Sequence, residues 1–236
     1  MRVPTIVSAS GWRYAVGELL LIVLGVTIAL AATSWYEARQ EQSNERLILQ
    51  QLHQTLTEDL AQLQATWEMT RQREQDLTSL LVHLESEASY RVELARYFQS
   101  LFGWRTVRLR TAPFEALKID GYQSISDGVL REKLISFHED LYAKLEYSTF
   151  LDRDIVMRHI QPYFFNNFVM QAPGSSGIDQ YWVPIDYGQI RAEGYLANMS
   201  RFRADILRRF DLRHYRNAAA AMTEILDLIE QELAEA

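Results

Sequence analysis

The chain has 236 residues, 48% of them hydrophobic, and a formal net charge of -7, enough apolar material for one sizeable core beyond a membrane anchor. It contains no cysteine, which excludes disulfides, thiolate metal sites and cysteine nucleophiles. The acidic balance disfavours generic binding to phosphate backbones, so no nucleic-acid partner is expected.

Residues 1–13 are too short to fold alone, and Pro4 and Gly11 argue against a helix beginning before Trp12. From Tyr14 to Trp35 the chain is apolar, with Glu18 as its single charge. As a helix this run is about 33 Å long, sufficient for a hydrocarbon core of about 30 Å. Trp12 and Tyr14 flank one end, and Trp35 and Tyr36 the other, where amphipathic rings favour the headgroup layer. The rival reading is a cleaved signal peptide, with Leu19 to Ile28 as its apolar region and Ala29-Leu30-Ala31 as its cleavage motif. The length of the run and the position of Glu18 favour an anchor over residues 14–36. Arg2, Arg13 and the terminal amine, against Arg39 and Arg46 beyond the run, give a modest positive-inside bias. The expected topology is a cytoplasmic N-terminus with residues 37–236 outside, and the lipid bilayer as first partner.

Gly17, Leu21, Gly25, Ala29 and Thr33 recur every four residues, a ridge of mostly small side chains that permits close helix packing in lipid. Frequent glycine and alanine in membrane helices would give the same pattern by chance. Glu18 is a functional candidate as the lone acid of the span, although in the first turn it can reach the interface instead.

Beyond Glu37 no helix breaker intervenes, and Leu49, Leu52, Leu56, Leu60, Leu63 and Trp67 form an apolar helical stripe. The stripe fades from Thr70 to Asp76 and resumes at Leu77, Leu81 and Leu84. A helix running straight out of the membrane to a bend at Ser86 to Tyr90 is predicted, packing as a bundle because the polar gap interrupts the heptads. Arg91 to Phe102 reads as a helix ended by Gly103, Trp104 to Thr111 as a short extended piece, and Thr111 with Pro113 as the start of a helix closed by Gly121. Asp127 is a plausible N-cap for a helix carrying Leu130, Leu134, Phe137, Leu141, Leu145 and Ile155, with a kink or stop at Pro162.

Tyr14-Ala15-x-Gly17-Glu18, the apolar run with Gly25 and Ala29-Leu30, and Trp35-x-Glu37 resemble the start of a bacterial family of single-pass membrane proteins known as a domain of unknown function. Phe114-Glu115-x-Leu117 with Gly121, Ile125 and Leu130-Arg131 is similar to that family's second recurring block. The chain departs from the family in having Ala31-Ala32-Thr33-Ser34 and Tyr36 where asparagines are frequent. The resemblance implies an anchored helical domain and supplies no catalytic residues; with the topology read above, the expected location is the bacterial inner membrane, the main part periplasmic.

Tyr163, Phe164, Phe165, Phe168, Val169, Met170, Tyr181 and Trp182 surround the one clear long loop, which carries Ala-Pro-Gly-Ser-Ser-Gly and, at its far end, Pro184. If the helix from Asp127 returns alongside the first, these aromatics come down near the bilayer, as a membrane-proximal loop or a plug for the end of the bundle. Asn198 can cap a last helix with the stripe Phe202, Ile206, Phe210, His214, Ala218, Met222, Ile225, Ile229 and Leu233.

The sequence offers little chemistry. None of His53, His83, His138, His159 and His214 has a second histidine three or four residues away, and Tyr142 occupies the second ligand position after His138-Glu139. Glycine fingerprints for phosphate or dinucleotide, and a nucleophile elbow, are missing from the sequence. Glu58 and Asp59 read as a solvated face, and Arg201, Arg203, Arg208, Arg209, Arg213 and Arg216 as partners for neighbouring carboxylates. We therefore expect no cofactor, no metal and no enzyme. The expected fold is mostly α, one transmembrane helix continuing into an antiparallel helical bundle. The expected role is an interaction or scaffold protein, an accessory subunit of an envelope complex or a homo-oligomer. The alternative is a ligand-binding or sensory bundle without its own output domain.

Overall fold

A computed structural model describes residues 9–171 and 181–235. The start of the N-terminal stub and the Ala-Pro-Gly-Ser-Ser-Gly loop lie outside the described residues. The fold is mostly helical. Helix α1 (Ala9–Glu85) runs unbroken for 77 residues, about 115 Å. It is followed by α2 (Leu94–Phe102), an extended stretch, and α3 (Ala112–Asp120). A long helix over residues 128–167 comprises α4 (Gly128–Ser136), the π segment π1 (Phe137–Tyr142), α5 (Ala143–Ile155), π2 (Val156–Ile160) and α6 (Gln161–Asn167). Strands β1 (Phe168–Gln171) and β2 (Tyr181–Pro184) pair antiparallel, Val169 opposite Val183 and Met170 opposite Trp182. After α7 (Tyr187–Glu193), the chain ends in a second long helix, α8 (Tyr195–Ile206), π3 (Leu207–Asp211) and α9 (Leu212–Glu235).

Local chemistry explains the boundaries. Asp127 caps α4, its carboxylate accepting the Leu130 N–H, and Asp186 caps α7 by accepting that of Gln189 at 2.9 Å. Gly194 ends α7 in the left-handed region, where a side chain would be strained. Pro162 neither stops nor ends its helix: π2 immediately precedes it, and a wide turn gives room for the ring and the missing N–H donor.

Side-chain pairs along α1 trace the path of the chain. Arg96 and Ser100 of α2 meet Asp76 at 2.5 and 2.8 Å; the Arg110 N–H donates to Asp59 at 2.8 Å; the Ser126 N–H and hydroxyl donate to Glu45 at 2.6 and 2.8 Å. The chain thus descends α1 from its far end within about 40 residues. The extended stretch makes this possible, since at about 3.3 Å per residue it covers twice the distance of a helix. The long helix 128–167 then climbs beside α1: Leu130 and Leu134 share a core with Leu49 to Leu63, while Ile160 and Phe164 share one with Leu77 to Leu84. The last helix descends, from an Arg201–Glu85 ion pair, through Arg208–Glu74, to His53–Glu230 at 3.0 Å.

Four expectations change here. Helix α1 begins at Ala9 and runs through Gly11, ahead of Trp12, and the last helix begins at Tyr195, so Asn198 lies inside it and does not cap it. The helix from Asp127 runs in the same direction as α1 rather than returning along it, so the aromatic segment lies at the Leu77–Leu84 end of α1, remote from the apolar run. The stripe predicted for the last helix holds at Ile206, Ala218, Met222, Ile225 and Ile229 and fails between them. Leu207, Asp211 and Tyr215 are buried with Ala218 and Met222, whereas Phe202 and Phe210 are exposed and His214 is half-buried. The residue face turns between α8 and α9 because π3 changes the number of residues per turn.

Candidate functional site

Two features of the described residues have no counterpart in an ordinary helical core. The first is the apolar stretch of α1. Its most apolar window has a mean hydropathy of 2.2, is long and apolar enough to cross a membrane, and has none of its residues buried inside the protein. Nothing lies within 4 Å of a Cβ built on Gly17 or Gly25, and Glu18 and Ala29 are exposed beside them. The hydroxyls of Thr27 and Thr33 donate back to the Val23 and Ala29 carbonyls at 2.8 and 3.0 Å, so these polar groups are satisfied within the helix. At the far boundary the Arg39 guanidinium sits 4.9 Å over the Trp35 ring. Packing against the rest of the chain begins only around Gln42 and Glu45, which line a cleft with Ser126 and Leu233.

The second feature is a buried ionic layer. The polar gap of α1 between Thr70 and Asp76 faces water on one side only: Arg71, Gln72 and Gln75 are exposed, but Thr70 and Asp76 are buried and Arg73 nearly so. At the same level α5 contributes Ser148, Thr149 and Asp152, and the last helix the Arg203 guanidinium and Asp211, all buried. The layer separates the two apolar cores. Arg203, fully buried, places its guanidinium on Asp152 Oδ1 at 2.7 and 3.1 Å. Its remaining N–H groups donate to the carbonyls of Leu101 and Gly103, the latter at 3.0 Å, closing the C-terminal end of α2. Arg73 approaches the other oxygen of Asp152 at 3.8 Å. Burial and the neighbouring Arg203 charge pull Arg73 down to about 10. Burial pushes Asp211 up to about 7, against the Ser148 hydroxyl that donates to it. The hydrogen-bonded Asp152–Arg203 pair is costly to form but costlier to break, so it ties α5, the last helix and the end of α2 together.

The aromatic segment is divided by the fold. Phe164, Phe168 and Trp182 are buried with Phe98; the Phe164 and Phe168 rings stack at 4.2 Å, and Trp182 stands edge-on to Phe164 at 5.8 Å. The Tyr163 hydroxyl donates to Glu193 at 2.7 Å and that of Tyr181 to Gln171 at 3.2 Å. Phe165, Val169 and Met170 remain exposed. The hairpin and its neighbours therefore plug the end of the molecule opposite to the apolar run.

Asp59, read from sequence as part of a solvated face, is buried and holds the extended stretch through Arg110; its exposed neighbour Glu58 pairs with the Arg110 guanidinium. Of the arginine cluster, Arg201, Arg203, Arg208 and Arg209 pair with Glu85, Asp152, Glu74 and Asp205. The sequence reading missed Asp152, Asp211 and Arg73. Their signal was present: Asp152 lies three residues before Ile155 and Asp211 four before Tyr215, on the inward face of each helix.

No protein-family model, curated protein or solved structure matches the chain.

Proposed function

We propose that this protein is a single-pass, membrane-anchored interaction or scaffold protein of the bacterial inner membrane. In this reading the N-terminus is cytoplasmic and a helical bundle, residues 37–236, stands in the periplasm, with helix 128–167 parallel to α1 and the last helix antiparallel to both. The observation that supports it is the open ridge of Gly17, Gly25 and Ala29, along an apolar helix that the chain's own core leaves uncovered. In lipid, close van der Waals packing favours helix association, and small residues allow it. The partner is a membrane helix of another subunit or of a second copy of this chain, with Glu18 at the cytoplasmic boundary.

Gly25→Leu should lower the yield of the co-purifying partner or of the homo-oligomer in detergent, with the circular dichroism of the bundle unchanged. Equal yields for the variant and the wild type would make the ridge lipid-facing and remove the proposal.

A further inference from the structure

The stretch between α2 and α3 belongs to no helix or sheet, but its burial alternates as in a strand. Val107 and Leu109 are buried while Arg105, Thr106, Arg108 and Arg110 are exposed, the alternation of a pleated chain. Yet among the described residues the single hydrogen bond made by the backbone of residues 104–110 is the one from Arg110 to Asp59. In a pleated chain, the N–H and C=O groups of alternate residues point to the same side. With Arg110 turned to α1, Val107 and Leu109 present theirs to the opposite side. A groove of about 440 Å³ lies there, with Thr106 to Leu109 as one wall and Tyr142, Glu146, Phe150 and Arg153 of the long helix as the other. Phe150 is an exposed aromatic surface within it. Arg108 and Arg153 are exposed and neither has an ion pair among the described residues, whereas Glu146 accepts the Tyr142 hydroxyl at 3.0 Å.

We propose that this groove takes an extended acidic peptide segment of a partner protein, added as a β-strand to Val107 and Leu109. Main-chain hydrogen bonds would supply affinity, an apolar side chain would lie on Phe150, and an acidic one would pair with Arg108 and Arg153. Five residues of strand span about 16 Å, the length of the three helical turns from Tyr142 to Arg153. The proposal deepens the interaction reading by naming a partner's chemistry, and it does not depend on the membrane ridge.

The probes are fluorescent octapeptides of alternating valine and glutamate, or valine and lysine, titrated against the full chain in detergent. The glutamate peptide should bind. Binding should fall about tenfold or more with R108E/R153E, both exposed positions, and likewise when alternate peptide amides are N-methylated, a change that leaves the protein untouched. In hydrogen exchange, the amides of Val107 and Leu109 should exchange quickly in the free protein and slow with the peptide bound. The idea is overturned by failure of the glutamate peptide to bind, by equal binding of the lysine peptide, by indifference to N-methylation, or by slow exchange in the free protein. If the groove fails these tests while Gly25→Leu still disrupts assembly, the interaction role stands and the groove alone is wrong.

Discussion

Asp211 shows how one residue can carry a pH dependence through burial. Its carboxyl is pushed up to about 7 chiefly by desolvation, so the folded state holds a proton that the unfolded state releases near pH 4. Folded protein then binds more protons than unfolded between about pH 4 and 7, and the stability from this group is full below that window and lost as pH rises through it. Asp211→Asn cannot ionise. Denaturant titrations should show wild type gaining roughly 2–3 kcal/mol relative to the variant on going from pH 8 to pH 5. A difference between the two proteins that is flat in pH would mean that Asp211 is already ionised throughout.

Among elements, the long helix 128–167 depends on its start. Asp127 satisfies one of the orphan N–H groups of its first turn, and Ser126 beside it is bonded to Glu45. Asp127→Ala should therefore cost about 1 kcal/mol in global stability, with no change in the circular dichroism of the folded state. A loss below about 0.3 kcal/mol would show that water replaces the cap. The π segments belong to the same scale of argument. π2 and π3 adjoin the ionic layer, where an extra residue per turn re-aims the inward face, so that Asp152 meets Arg203 and Ser148 meets Asp211 although their helices have unequal stripes.

The whole molecule has two unlike ends: the apolar run at one, and the hairpin with its aromatic plug at the other, against Leu77 to Leu84. Along α1, Trp35 and Leu80 are about 65 Å apart. In single-tryptophan variants reconstituted in vesicles, a quencher on the lipid tails should quench Trp35 strongly and Trp182 no more than Trp104. Trp182 quenched as strongly as Trp35 would return the hairpin to the bilayer and contradict the path of the chain.

Local features are legible in the residues alone: the apolar run, the α1 stripe and its end near Ser86, the Asp127 cap and the break at Gly121, each set by neighbours within a few residues. Direction was not determined. The extended piece at Trp104 to Thr111 is legible in its alternation, but that it carries the chain down α1 is decided by Asp59 and Glu45, partners 51 and 81 residues away in sequence. The same holds for the polar residues of the ionic layer. Thr70 to Asp76 interrupt a stripe when α1 is read alone, and read as surface. Only the tertiary structure brings Asp152 and Arg203 to that level, and a charge inside a protein is tolerable only where its counter-charge is already in place.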